Sequence, residues 1–210
     1  MDAEFVKLVH PSHSGLVAID LQNDSCHPDG VYARIGWDIS LRQPSAHNAA
    51  GFVEKARKFH VPIIFTRFNQ NKWNTSPAWM RRSKVLGHRA CMEGTWGEEF
   101  YATEPLEGEI VVVKHRYSAF IGTNLDVTLR SSGITTLILT GGGTNVCVEA
   151  TAMDGFQLGY DIVVASDCCG TPDVDEHLPA LKRMARLCGT VVESKGVLEA
   201  WSLSEGEGLV

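Results

Sequence analysis

Short apolar runs alternate with amphipathic stretches along most of the chain. The apolar runs are rich in β-branched residues, which is typical of strands, and they occupy residues 15–22, 61–68, 109–115, 135–142, 160–167 and 190–194. The stretches between them have the periodicity of helices and cover residues 46–59, 124–132, 145–158 and 176–188. Strand–helix–strand units of this length imply a parallel sheet with helices on both faces. We therefore predict an α/β fold, a three-layer doubly wound sandwich with a mostly parallel sheet of about six strands.

The chain shows no linker, internal repeat or low-complexity stretch that would divide it. Its 210 residues suit one globular domain, so we predict a single domain over residues 1–210. Residues 69–108 lack clear periodicity and hold Trp73, Trp79 and Trp96. A long irregular stretch inside a compact domain often lines a site or an interface, and we expect one of these roles here.

Composition and charge exclude several classes of protein. Hydrophobic residues make up 44% and charged residues 21% of the chain, as in an ordinary globular domain. The formal net charge of -6 argues against nucleic-acid binding, because phosphate recognition needs a basic surface. No apolar run reaches the ~20 residues of a membrane helix, and residues 1–15 are too polar for a signal peptide. We therefore expect a cytoplasmic protein.

Six cysteines are spaced irregularly, at Cys26, Cys91, Cys147, Cys168, Cys169 and Cys188. No CxxC pair occurs and the expected compartment is reducing, so we do not expect a disulfide framework. Most of these side chains should be buried packing thiols. Cys147 stands apart because of the polar residues that the fold should bring near it.

Three polar residues follow separate predicted strands. Asp20 lies near the end of the first strand, Lys114 near the end of the third, and Cys147 in the first turn of the helix after the fourth. Because carboxyl ends of parallel strands share one edge of the sheet, all three should project toward the same place. Taken singly, each has an ordinary alternative: a core thiol, a carboxylate capping a loop, and a lysine extending to solvent. Their convergence favours a catalytic site.

A thiol, a carboxylate and an ammonium group together suit nucleophilic catalysis. The attacking species is the thiolate, and both a helix N-terminus and a nearby ammonium group stabilise that anion. A carboxylate can take the thiol proton and later return it to a leaving amine. Three glycines precede the helix in TGGGTNVC (140–147), where backbone N–H groups could hold an oxyanion, although a tight turn would also explain them.

Three segments resemble the isochorismatase-like cysteine hydrolases: AIDLQND (18–24), VVVKHRYSAFIGTNLD (111–126) and TGGGTNVCVEATAMDGFQLGYDIVVASDCC (140–169). The resemblance covers nearly the whole chain. It implies Cys147 as nucleophile, Asp20 as base and Lys114 beside them. It also implies a cis peptide between Gly142 and Gly143, with the Gly143 and Cys147 amides as oxyanion donors. Members of the family are commonly dimers or tetramers, so the resemblance implies a homo-oligomer.

The chain departs from the family pattern at two places. Ser25 follows Asp24 where the family often has an aromatic residue. The family pattern therefore does not predict what forms the wall of the pocket at this position. Metal-dependent members carry an Asp-x-His pair after the second strand, whereas FTRFNQNKWN (65–74) contains neither residue. No two histidines have i,i+4 spacing either. We therefore expect no metal and no other cofactor.

The choice among branches of the family rests on fewer residues. A cysteine at 147 favours amide chemistry, because cleavage of the isochorismate vinyl ether needs no thiol. TNVCVEAT, KHRYSAF and GWDISLRQ look most like the ureidoacrylate and biuret hydrolase branch, which implies a small ureido or carbamoyl amide as substrate. A nicotinamidase- or isochorismatase-type hydrolase and a non-catalytic scaffold are the alternatives. Candidate substrate contacts, each equally readable as a surface residue, are Arg67, Asn71, Lys72, Arg116 and Tyr117.

Overall fold

Six parallel strands form the centre of the computed structural model, which describes residues 2–86 and 89–207, without the side chains of 84–86 and 205–207. The strands are β1 (Ser14–Ile19), β2 (Ile63–Phe68), β3 (Ile110–Lys114), β4 (Thr136–Gly142), β5 (Asp161–Gly170) and β6 (Thr190–Val192). Their order is β3-β2-β1-β4-β5-β6, and every neighbouring pair is parallel. The predicted α/β fold with a six-stranded sheet is confirmed.

The central strands are buried on both faces, which explains their continuous apolar runs. In β1, Leu16 and Ala18 belong to one hydrophobic cluster, and Val17 and Ile19 belong to the other. All six residues of β1 and all seven of β4 are buried. The two clusters are the cores between the sheet and its two helical layers.

Helices cover both faces of the sheet. They are α1 (Ala3–Leu8), α2 (Asn23–Cys26), α3 (Val31–Arg34), α4 (Arg42–Lys58), α5 (Pro77–Leu86), α6 (Leu125–Ser131), α7 (Glu149–Gln157), α8 (Val174–Leu187) and α9 (Ser194–Glu207). Helices α1, α4 and α9 contribute to one core, and α6, α7 and α8 to the other. None of the helices among the described residues is long and apolar enough to cross a bilayer.

Two long helices were not predicted from the sequence. α5 lies inside the segment 69–108, for which no periodicity was recognised, and α9 follows the last predicted strand. α9 is held by Trp201, whose ring is fully buried, stacks on Phe52 at 5.5 Å and donates from Nε1 to the Val9 carbonyl at 2.7 Å. These contacts are distant in sequence, so tertiary packing rather than local propensity stabilises the helix.

The strand order creates a crevice between β1 and β4. The long helix between β1 and β2, α4, packs on one face of the sheet, whereas α7, between β4 and β5, packs on the other. Connections that leave in opposite directions open a gap at the carboxyl ends of the two strands, where α/β proteins bind ligands. Asp20 directly follows β1, and Cys147 lies just after β4.

Candidate active site

Asp20 occupies a constrained position at the end of β1. Its φ of 49° is in the left-handed region, which is uncommon for a residue with a Cβ atom. Thr66 of β2 holds both ends of the residue: the Asp20 N–H donates to the Thr66 Oγ1 at 3.2 Å, and that hydroxyl donates to Asp20 Oδ1 at 2.7 Å. The surrounding strands therefore fix the carboxylate in place.

Gly141 allows β4 to pass close to this turn. Its φ is 113°, and a Cβ atom built there would stand 2.1 Å from the Ile19 carbonyl oxygen. No other residue type fits without moving the end of β1. The glycine run therefore has a packing role in addition to its place before Cys147.

Lys114 is fully buried at the end of β3. Its Nζ lies 2.7 Å from Asp20 Oδ2 and donates to the Arg116 and Tyr117 carbonyls at 3.0 Å each. These three acceptors match the three N–H groups of an ammonium. Burial lowers the pKa of Lys114, but its interactions with Asp20 and Cys147 together raise it more, so the net shift is upward. Lys114 is therefore a permanent cation that orients Asp20.

Cys147 lies in a π-helical turn, Thr144–Val148, between β4 and α7. Single π-turns inside helices are frequent at functional sites. The thiol lies close enough to Asp20 and Lys114 for both charges to shift its pKa, so the structure brings together the three side chains predicted from the sequence.

The thiol of Cys147 is protonated in the resting site. Burial raises its pKa, Lys114 lowers it and Asp20 raises it, and the result is a pKa of about 12. The expectation that the helix terminus and the ammonium group would favour the thiolate is therefore wrong for the resting state, because desolvation of the anion outweighs their attraction. The Asp20 carboxylate lies beside the thiol and is the candidate base for that proton.

The peptide between Gly142 and Gly143 is trans, contrary to the expectation from the family resemblance. The chain turns here through positive φ at Gly141 (113°) and Gly143 (72°), which glycine adopts at little cost. The Gly143 N–H donates to the Gly170 carbonyl at 2.9 Å. It is therefore engaged within the fold and not free for an oxyanion in this conformation, which corrects its predicted role.

A cavity of about 760 Å³ opens above the three catalytic candidates. Aromatic side chains form two of its walls: Tyr32 with Trp37 at 4.6 Å, and Trp79 with Tyr117 at 4.9 Å. Ser25, at the position where the family often has an aromatic residue, also lines it. The cavity is large enough for a small amide together with the group that the amide carries.

Of the predicted substrate contacts, Tyr117 lines the cavity and the others do not. Asn71 is bonded to its neighbours, with its Nδ2 donating to Glu93 at 2.8 Å. Lys72 lies over the Trp73 ring at 4.6 Å, and Arg116 donates to the Asn74 carbonyl at 3.0 Å. Arg67 is on β2, on the same face as Phe65 and opposite to Thr66. These four assignments are corrected, because strand alternation and local loop bonds turn the side chains elsewhere.

Several residues of the site were missed. Thr66 had a usable signal, since it is a polar residue directly after the apolar run of β2. Arg42 had no signal of its own, although it lies within the GWDISLRQ segment, and Trp79 was predicted only as part of the segment 69–108. The described residues include no group of three or more His, Cys, Asp or Glu arranged to hold a metal ion.

Comparison with known proteins identifies the family of the chain. A family model described as the isochorismatase domain matches residues 14–196. The ureidoacrylate amidohydrolase RutB of Methylobacterium radiotolerans is 36% identical, over 75% of this chain and 67% of its own length. A cysteine hydrolase from Pseudomonas syringae has a TM-score of 0.83 at 22% identity, over 94% of this chain and 96% of its own. For the N-carbamoylsarcosine amidase of Thermoplasma acidophilum the TM-score is 0.70 at 27% identity, over 87% and 96%. The chain is therefore a hydrolase that belongs to the isochorismatase family, as its three motifs predicted.

Proposed function

We propose that the chain is an amidohydrolase that cleaves a C–N bond of a small ureido or carbamoyl compound through a thioester on Cys147, with release of ammonia. The observation that carries the proposal is the ion pair of Lys114 with Asp20 at 2.7 Å, with Cys147 beside it at the β1–β4 crevice. A thiol, a carboxylate base and a fixed cation are the groups that acyl transfer from an amide requires.

Asp20 begins the reaction by accepting the Cys147 proton. The sulfur then attacks the amide carbonyl carbon, which forms a C–S bond and moves the carbonyl electron pair onto oxygen. As that pair returns, the C–N bond breaks and Asp20 gives its proton to the departing nitrogen. Water, deprotonated by Asp20, attacks the thioester carbon, and the proton from Asp20 returns to the sulfur. Lys114 keeps the carboxylate oriented throughout.

The oxyanion rests on backbone N–H groups at the first turn of the helix, with the Cys147 amide as our principal candidate. Each such donor is worth about 3 kcal/mol in the transition state. The Gly143 amide contributes only if its bond to the Gly170 carbonyl breaks first. We propose it as a second donor in a rearranged site and not in the conformation described here.

The similarity to ureidoacrylate amidohydrolases supports a ureido substrate. Trp79 and Tyr117 line the cavity, and we propose that the group carried by the ureido nitrogen packs against this aromatic wall. We also retain the proposal that the protein is a homodimer or homotetramer, for which sedimentation at several concentrations is the test.

Two assays test the proposed function. The first measures ammonia release from biuret, ureidoacrylate, N-carbamoyl amino acids and nicotinamide, with exhaustive EDTA treatment as a control for metal. We expect a ureido compound to be preferred over nicotinamide and turnover to survive EDTA. The reverse preference would favour a nicotinamidase, and no release from any of them would remove support for an amidase.

The second assay is mass spectrometry of enzyme quenched during turnover. We expect an acyl adduct on Cys147 that is absent from Cys147→Ser, and a loss of turnover by several orders of magnitude in that variant. Asp20→Asn should be similarly inactive, because an amide does not accept the thiol proton. Near-normal turnover by Cys147→Ser would rule out the thioester route.

A further inference from the structure

A second buried cation lies beside the catalytic residues. Arg42, the first residue of α4, is only 3% exposed and lines the cavity together with Asp20 and Cys147. Among the ion pairs of the described residues, none involves Arg42, so no carboxylate oxygen there lies within 4.0 Å of its guanidinium nitrogens. A buried charge without a counter-ion is costly, and its presence at this place calls for a function.

The guanidinium is solvated by neutral oxygens. Nε donates to the Ser25 carbonyl at 3.2 Å, and Nη1 donates to the Gly170 carbonyl at 3.3 Å. Nη2 donates to the Ser25 hydroxyl at 2.5 Å and, more weakly, to the Asp20 carbonyl at 3.5 Å. These dipoles satisfy the N–H groups without cancelling the positive charge, which therefore acts on the cavity.

Arg42 also touches the end of β4. A Cβ atom built on Gly142 would stand 1.6 Å from Arg42 Nη1, so the guanidinium lies directly against the backbone of this glycine. Together with the bonds to Asp20 and Gly170, the side chain contacts the ends of β1, β4 and β5. It thus braces the backbone on both sides of the crevice.

The groups of the site carry a net positive charge in the resting state. Asp20 and Lys114 form a neutral pair, the Cys147 thiol is uncharged, and Arg42 adds one positive charge. Burial lowers the pKa of Arg42, but the negative charges that Cys26, Tyr32, Cys147 and Asp20 carry when ionised raise it more. The guanidinium therefore remains charged while the thiol loses its proton, and the new anion forms in its field.

We propose that Arg42 is a positioning residue of the active site that braces the ends of β1, β4 and β5 and stabilises the thiolate form of Cys147 with its charge. The inference rests on the proposed role of Cys147 as nucleophile, but it requires no particular substrate. Ser25 positions Arg42, because its hydroxyl and its carbonyl both accept hydrogen bonds from the guanidinium.

Alkylation of Cys147 by iodoacetamide at pH 8 tests the charge without any substrate. Below the pKa of the thiol the rate constant follows the thiolate fraction, so one unit of pKa changes it about tenfold. Arg42→Met should react about tenfold more slowly than Arg42→Lys, which keeps the charge but not the planar fork. Mass spectrometry assigns the label to Cys147, and circular dichroism checks the fold. Equal rates in the two variants would show that the charge has no effect and overturn the proposal.

A second pair of variants leaves Arg42 in place. Ser25→Asp sets a carboxylate against the guanidinium and neutralises it, while Ser25→Asn makes a nearly equal change of size without charge. The aspartate variant should be alkylated about tenfold more slowly than the asparagine variant. Equal rates would contradict the proposal even if the Arg42 variants did not fold. These experiments also distinguish failure of this inference from failure of the proposed function. If only the proposed function is wrong, no ammonia is released but the alkylation rates still differ.

Discussion

At the scale of single residues, the candidate site places a thiol that is neutral at rest beside a carboxylate. Burial raises the pKa of Cys147 to about 12, so few thiolates exist at neutral pH. Asp20 raises that pKa further by its charge and, in the proposed reaction, also accepts the proton. The same carboxylate therefore disfavours the thiolate at rest and, in the proposed reaction, enables its formation. A substitution that removes the carboxylate should change these two effects in opposite directions.

Asp20→Asn should abolish turnover and at the same time make Cys147 more reactive to iodoacetamide. Removing the carboxylate removes a charge that raises the thiol pKa, while Lys114 continues to lower it. We expect the alkylation rate at pH 8 to rise about tenfold for a fall of one pKa unit. Asp38→Asn, which removes a fully exposed charge at the rim of the cavity, is the matched control and should change the rate little. An unchanged or lower rate in Asp20→Asn would contradict this electrostatic account.

The convergence of the three candidate residues could be predicted from the strand ends, whereas the hydrogen bonds around them could not. Asp20, Lys114 and Cys147 each follow an apolar run, and the parallel sheet brings such positions to one edge. For example, the Gly143 N–H donates to the Gly170 carbonyl, which is 27 positions later in the chain. Nothing in the local sequence of either residue indicates that pairing. Arg42 is buried by contacts of the same long-range kind, and a charged residue at the start of a helix usually lies at the surface.

At the scale of elements, the alternating pattern predicted all six strands and missed α5 and α9. Strand positions could be read because the central strands are apolar on both faces, so their runs are continuous. α5 begins at Pro77 and carries charged residues between its apolar ones, and its neighbours in space come from other parts of the chain. The segment 69–108 nevertheless lines the site as expected, through Trp79.

Trp79 of α5 should affect substrate binding more than chemistry. Its ring lines the cavity, packs on Tyr117 at 4.9 Å and donates from Nε1 to Gln70 at 3.1 Å, but it is not part of the Asp20–Lys114–Cys147 set. We expect Trp79→Ala to raise KM about tenfold, the loss of ~1.4 kcal/mol of aromatic contact, and to change kcat little.

Trp73→Ala is the control for that substitution, because Trp73 is 84% exposed and does not line the cavity. Steady-state kinetics with the best substrate of the ammonia assay measure both variants. A large fall in kcat with unchanged KM in Trp79→Ala would show instead that α5 supports the reacting groups.

At the scale of the whole molecule, the buried thiols make the free energy of unfolding depend on pH in the alkaline range. Burial is the largest cause of a raised pKa at Cys91, Cys147, Cys168, Cys169 and Cys188. All six cysteines are free, and only Cys147 has a proposed chemical role. The other thiols fill the cores on the two sides of the sheet or pack near the crevice. Water does not reach these places to solvate a thiolate.

Unfolding exposes these thiols and returns each pKa to its ordinary value near 9. The folded pKa is the higher one, for example about 12 at Cys169, so the unfolded state binds fewer protons above pH 9. The stabilisation is therefore complete below pH 9 and is lost as the pH rises toward the folded pKa. Each thiol contributes a slope of up to ~1.4 kcal/mol per pH unit in this window.

We expect the free energy of unfolding in urea, measured with dithiothreitol present, to be similar at pH 7.5 and 8 and to fall steeply from pH 9 to 10. Cys169→Ala isolates one thiol: the variant starts from a lower stability because of the small cavity, but its slope should be shallower by up to ~1.4 kcal/mol per pH unit. Lysine and tyrosine ionisation is common to both proteins and cancels in the difference. Parallel curves for the two proteins would mean that Cys169 ionises alike in the folded and unfolded states, against the effect of its burial.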